Sequence, residues 1–220
     1  MIYQFEREAV AFYGRKMFEL GLIKGTGGNL SLLTGDGQNI AITPSAVPYN
    51  EIEAGDVVII SKKGALIDGA RKASTELSLH LALYESRPDI KAVVHTHSLY
   101  CSILACLGWE IPPIHYYIAF CGNKVPVAPY ATFGTKELAR KTASTIGTNK
   151  AVLLANHGMV AVGSSIKNAL MVAEVVEFLA EIYYKARCAG NPMQLELEEI
   201  ERLRKAFGDY CGGQRSEKSC

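Results

Sequence analysis

Three observations predict an α/β fold built on one large core. Stretches with apolar residues at helical spacing (2–20, 135–146, 165–189) alternate with short β-branched runs that read as buried strands (56–61, 92–97, 151–155). A tight turn, Gly35-Asp36-Gly37, joins two further strands, Asn29–Thr34 and Asn39–Thr43. At 220 residues the chain is long enough to bury one full core.

Composition narrows the function classes. Hydrophobic residues make up 49% and charged residues 20%, as in an ordinary globular enzyme and far from disorder. A formal net charge of +1 gives no electrostatic case for nucleic acid or an anionic membrane, so any anion site must be local. The first residues lack the basic start and apolar centre of a signal peptide, and no apolar run approaches the ~20 residues that span a bilayer. The six cysteines form no Cys-x-x-Cys pair and are expected as reduced thiols in a cytoplasmic protein.

In chain order, Phe5, Val10, Phe12, Tyr13, Met17 and Leu20 mark an amphipathic first helix that stops at Gly21. Gly25-Thr26-Gly27-Gly28-Asn29-Leu30-Ser31 follows. It fits neither a dinucleotide fingerprint nor a Walker loop. It can be an ordinary turn, or a nest of backbone N–H groups open to an oxyanion. Thr43-Pro44-Ser45-Ala46 adds two hydroxyls beyond a strand end. Asp56–Ser61 is the next strand. Ser74 or Thr75 is the expected N-cap of a helix running to about Glu85, on which Glu76 and His80 stand at i and i+4. Residues 98–107 read as helix; 111–117 and 125–130 are extended, the prolines excluding a helix start in the first. Helices at 135–146 and 165–189 bracket the strand Ala151–Ala155, and Gly190-Asn191-Pro192 stops the second. A short helix at about 196–207 leads to a tail expected to be mobile. With no repeat, linker or composition break, residues 1–210 are read as one domain and 211–220 as the flexible tail.

The chemistry concentrates at two strand ends. In Val93-Val94-His95-Thr96-His97 the period of two turns both imidazoles to one face, and His157 ends another strand. A bare His-x-His pair can equally be two hydrogen-bonded histidines. Of the five histidines (80, 95, 97, 115, 157), three lie at strand ends beside loops, which makes a three-histidine zinc site with an open fourth position the natural hypothesis. Glu76 is the nearest carboxylate, as ligand, base or both. His80 competes, although one turn below Glu76 it falls on the packing face of the helix.

The ordered set Gly-Asn-Leu-Ser, Thr-Pro-Ser, Ser-Thr-Glu, His-Thr-His-Ser, Pro-Tyr-Ala-Thr-Phe-Gly-Thr and Asn-His-Gly resembles the class II aldolase/adducin family over essentially residues 5–210. The resemblance implies a three-layer α/β/α sandwich with a central mixed, largely antiparallel sheet, assembled as a homotetramer with active sites at subunit interfaces. It implies one Zn2+ per subunit held by His95, His97 and His157, with Glu76 as resting fourth ligand and general acid/base. Gly28, Asn29, Thr43, Ser74 and Thr75 would hold the substrate phosphate. Tyr116, reaching from a neighbouring subunit, would donate a proton on the aldehyde side.

The implied reaction is the reversible cleavage of a ketose 1-phosphate, L-fuculose 1-phosphate or a related deoxy-pentulose or hexulose 1-phosphate, to dihydroxyacetone phosphate and an aldehyde such as lactaldehyde. A metal acting as Lewis acid makes a Schiff-base lysine unnecessary. The alternatives are a pentulose-phosphate 4-epimerase or a methylthioribulose-1-phosphate dehydratase or aldolase of the same family, and a non-catalytic adducin-like binding module. Absence of any histidine after His157 argues against the epimerase, and retention of all four donors against the module. Ala46 stands where the family often has glycine, and Asn156 where relatives can carry histidine.

Overall fold

A computed structural model describes residues 1–213. The helices are α1 (Gln4–Glu19), α2 (Leu77–Ser86), α3 (Leu99–Leu107), α4 (Ile118–Cys121), α5 (Lys136–Ile146), α6 (Ile166–Ala189) and α7 (Leu197–Gly213). The strands are β1 (Asn29–Leu33), β2 (Asn39–Ile42), β3 (Val58–Ser61), β4 (Leu66–Asp68), β5 (Ala92–Thr96), β6 (Val127–Ala128), β7 (Ala151–Leu154) and β8 (Gly158–Gly163). They form one eight-stranded sheet in the order β4-β3-β2-β1-β5-β8-β7-β6. All neighbours pair antiparallel except β6 and β7, so the sheet is mixed and largely antiparallel, as expected.

The strand alternation sorts two cores. Leu30, Ala41, Ile59, Ala92, Val94, Leu153 and Ala161 face a core shared with α1, α3, α4, α6 and α7. Ile40, Ile42, Val58, Val93, Val152, Leu154 and Val160 face a second core under α2 and α5. Central strands buried on both faces explain the continuous Val/Ile/Leu runs. Arg7, 1% exposed in α1, donates to the Val57 carbonyl and to Asp68, tying the first helix to the β3–β4 edge.

Several elements differ from the sequence reading. Strand β4 and the single-turn helix α4 were not expected; both are too short to carry a period. The cap of α2 is Glu76 itself, while the Ser74 hydroxyl accepts the Glu76 N–H at 3.2 Å. Helix α7 runs to Gly213, through the expected boundary between residues 210 and 211; Gln214–Cys220, the rest of the expected tail, lie outside the described residues. No helix among the described residues is long and apolar enough to cross a membrane.

Candidate metal centre

Strand β5 lies between β1 and β8, and its register sets Asn29 of β1 directly across from His95. The α2 face of the sheet therefore carries Asn29, His95 and, just past the strand end, His97. Helix α2 crosses this face and brings its N-cap residue, Glu76, over it. His157 arrives in the tight β7–β8 turn, where Asn156 takes φ 55°, a left-handed conformation asparagine tolerates. A Cβ on Gly158 would lie 2.3 Å from the Thr96 carbonyl and 3.0 Å from the His97 ring, so the turn reaches the histidines only because this residue is glycine.

The sequence-predicted donors meet. One ligand atom each from Glu76, His95, His97 and His157 lies within 4.8 Å of the others. The Nε2 atoms of His95 and His97 are 2.9 Å apart; His95 Nε2 is 3.1 Å and His157 Nε2 3.6 Å from the Glu76 carboxylate. His95 Nδ1 lies 2.8 Å from the Met159 carbonyl, which orients the ring so that Nε2 faces the cluster.

The electrostatics suit a cation. Burial raises the Glu76 carboxyl, but the charge and hydrogen bond of His95, the Asn29 amide and His157 outweigh it and hold the group below the usual carboxylate range. Burial, with the neighbouring imidazoles, pushes His97 and His157 down to about 4, so both rings are neutral near pH 7. Glu76 Oε1 is buried without a hydrogen-bond partner, while Oε2 accepts from Asn29 Nδ2 at 2.9 Å. An unpartnered carboxylate oxygen among three clustered imidazoles is the arrangement a bound metal satisfies, and three nitrogens with one carboxylate form a donor set that suits zinc.

The cluster forms one end of a cleft of about 350 Å³. Gly27, Gly28, Asn29, Ser74 and Thr75 line it, as do Ser45 and Ala46. A Cβ on Gly28 (φ +81°) would sit 2.7 Å from the His95 carbonyl, so the loop lies on the strand that carries the histidines. Tyr49 holds the loop from behind, its hydroxyl donating to the Gly28 carbonyl at 2.8 Å. Ala46 takes φ 60°, which explains why glycine suits that position.

Thr43 does not line the cleft. Fully buried, its Oγ1 accepts the Leu30 N–H at 3.2 Å and its carbonyl accepts from Ser74 N, so it braces the wall instead of facing a ligand. The hydroxyl that does line the cleft is Ser45, two residues on in the same Thr-Pro-Ser motif. Tyr116 also stands apart. It is 44% exposed and packs against His115, Tyr117 and Phe207 outside the cleft.

Sequence reasoning gave no role to three contributors, two of them within the Pro-Tyr-Ala-Thr-Phe-Gly-Thr motif. Tyr130 and Phe133 line the cleft mouth from a loop without periodic signal. Glu177 of α6 takes hydrogen bonds from Ser98 Oγ (2.6 Å), Tyr100 N (2.8 Å) and Cys101 N (2.9 Å), capping α3 just past His97. That cap comes from far along the chain, and only the fold pairs it with its helix.

An α/β core that gathers three histidines and a glutamate at the end of a glycine-rimmed cleft defines a site able to hold one metal ion. Residues 8–184 match the Class II Aldolase and Adducin N-terminal domain family, and the chain belongs to it. It is a class II aldolase, a carbon–carbon lyase. Among curated relatives, 5-deoxy-D-ribulose 1-phosphate aldolase of Bacillus thuringiensis serovar kurstaki is 48% identical over 210 residues, covering 96% of this chain and 99% of that one. The L-fuculose phosphate aldolase of Escherichia coli K12 is 40% identical over 197 residues, 89% and 90% of the two chains. A solved L-fuculose 1-phosphate aldolase superposes with a TM-score of 0.91 at 42% identity, covering 94% and 98%.

Proposed function

We propose that this aldolase cleaves a 5-deoxypentulose 1-phosphate reversibly to dihydroxyacetone phosphate and acetaldehyde, with zinc held by Glu76, His95, His97 and His157. The carrying observation is the convergence of those four donors, with the unpartnered Glu76 Oε1 among them, beside a loop of glycines and hydroxyls. Identity to the 5-deoxyribulose 1-phosphate enzyme (48%) above that to the fuculose phosphate enzyme (40%) favours the shorter substrate. L-fuculose 1-phosphate, which yields lactaldehyde, is the second reading, supported by the 0.91 superposition.

Zinc bound there would supply a Lewis acid for the negative charge that gathers on the ketose oxygens when the carbon–carbon bond breaks. Gly28, Asn29, Ser74 and Thr75, with Ser45, form the rim that receives the phosphate, and Thr43 acts from behind it. In the condensation direction Glu76, an anion held by Asn29, takes a proton from C3 of dihydroxyacetone phosphate. The Tyr116 hydroxyl then donates a proton to the new C4 oxygen; cleavage runs the same transfers backwards.

Tyr116 is exposed on its own chain and absent from the cleft, so this role assigns it to a neighbouring subunit's site within a homotetramer. Tyr116→Phe should slow turnover without changing metal content; unchanged kinetics would remove it. The function is tested by coupled detection of dihydroxyacetone phosphate from 5-deoxyribulose, L-fuculose, L-rhamnulose and D-ribulose 1-phosphates, with and without chelation. Chelator-sensitive release, fastest on the 5-deoxy substrate, is expected. Silence on all four from metal-loaded protein would favour epimerase or dehydratase chemistry.

A further inference from the structure

Behind the donors runs a buried chain of polar groups, of which Tyr84, Ser31 and His80 are left unused by the proposed chemistry. Tyr84 OH lies 2.8 Å from Ser31 Oγ, Ser31 Oγ 2.7 Å from His80 Nδ1, and His80 Nε2 2.5 Å from Asn29 Oδ1. Asn29 Nδ2 in turn lies 2.9 Å from Glu76 Oε2. None of the five residues is more than 5% exposed. The seam follows from two periods meeting: Asn29 and Ser31 at i and i+2 on β1, and Glu76, His80 and Tyr84 at i, i+4 and i+8 along α2.

The proton directions along this chain are determined by its ends. A carboxylate only accepts, so the Asn29 amide must present Nδ2 to Glu76 and Oδ1 to His80. That carbonyl also only accepts, so His80 carries its proton on Nε2. Nδ1 of the neutral ring then accepts from Ser31, whose oxygen accepts from Tyr84. The reversed amide would set two acceptors against each other at the Glu76 end and two donors at the His80 end.

We propose that His80 is a positioning residue for Glu76. By donating to Asn29 from a ring locked between Ser31 and Asn29, it holds the amide in the one orientation that grips Oε2 and leaves Oε1 without a hydrogen-bond partner, 3.6 Å from His157 Nε2. This inference rests on the reading that Glu76 and those histidines hold a metal.

The test uses the full-length protein, stripped and reloaded with Co2+, and compares the parent with His80→Leu, His80→Gln and Ser31→Ala. Cobalt affinity is read by chelator competition, coordination by the visible spectrum, and turnover by the aldolase assay. His80→Leu should weaken cobalt about 10- to 100-fold, the usual effect of losing a group that orients a ligand. It should also alter the spectrum and lower kcat more than it changes KM. Glutamine can donate to Asn29 Oδ1, so His80→Gln should recover most of both losses.

Leucine or alanine variants that melt earlier yet keep the parent's cobalt affinity and spectrum would overturn the proposal. So would nitrogen chemical shifts in the unaltered protein placing the His80 proton on Nδ1. If His80→Leu does not fold, Ser31→Ala and the chemical shifts decide. A parent that binds no cobalt would instead overturn the metal reading, and this inference with it.

Discussion

Glu76 Oε2 lies 3.1 Å from His95 Nε2 and accepts from Asn29 Nδ2 at 2.9 Å, while Oε1 has no hydrogen-bond partner. One carboxylate oxygen is thus held by the protein and the other is left for a ligand. Replacing the charge but not the shape, Glu76→Gln should fold normally and retain metal on the three histidines. It should lose about 10²–10⁴-fold in turnover, the usual worth of a positioned acid/base. Metal analysis alongside steady-state kinetics checks this, and activity within a few-fold of the parent would remove Glu76 as the proton carrier.

His95 and His157 come from separate strand ends, and their ring centroids lie 4.8 Å apart. Either one replaced by alanine removes one of the nitrogens that surround the site, and the two nitrogens and carboxylate left were placed around the missing ring, so they should hold metal more weakly than the full set. His95→Ala and His157→Ala should each emerge from purification without stoichiometric zinc, and added zinc should not restore activity. A variant that keeps one zinc per chain would break the assignment.

Much of this site was legible because it sits on periodic elements. The period of two put His95 and His97 on one face, and Val93 of the same strand is buried on that side as the alternation demands. Glu76 and His80 were readable as one helix face. What the local pattern does not carry is pairing across the fold. The register setting Asn29 opposite His95, and Glu177 capping α3 from α6, depend on contacts between segments far apart in sequence. Thr43 and Ser45 show the same limit, since two hydroxyls in one motif take opposite roles where the chain enters the turn at Ser45 and Ala46.

Protons should compete with the folded state itself. Burial pushes His80 down to about 3, and His97 and His157 lie at about 4, against an unfolded value near 6.5. The unfolded chain therefore binds more protons between about pH 6.5 and 4, so stability is fully present above 6.5 and falls as pH drops through that window. His80 alone, fully buried, corresponds to about 1.4 kcal/mol per pH unit there, or roughly 3–5 °C in melting temperature. Melting the chelator-treated protein from pH 7.5 to 4.5 tests this; a flat profile would show that the rings take up protons in the fold as readily as in the unfolded chain.

The glycine loop allows backbone strain to be separated from crowding. Gly25 and Gly28 both have positive φ, +62° and +81°, but a Cβ at Gly25 meets nothing within 4 Å. At Gly28 it would meet the His95 carbonyl at 2.7 Å and Ile23 Cγ2 at 2.8 Å. Gly25→Ala should therefore cost only the left-handed backbone penalty, about 1–2 kcal/mol, with metal content and KM close to the parent. Gly28→Ala carries the same penalty plus a clash with the backbone of the strand that positions the histidines. It should be the less stable of the two in urea, bind metal more weakly, and raise KM for any 1-phosphate substrate. Equal midpoints and equal KM for both variants would mean that the loop yields freely at residue 28, and that its close approach to β5 does not set the phosphate rim.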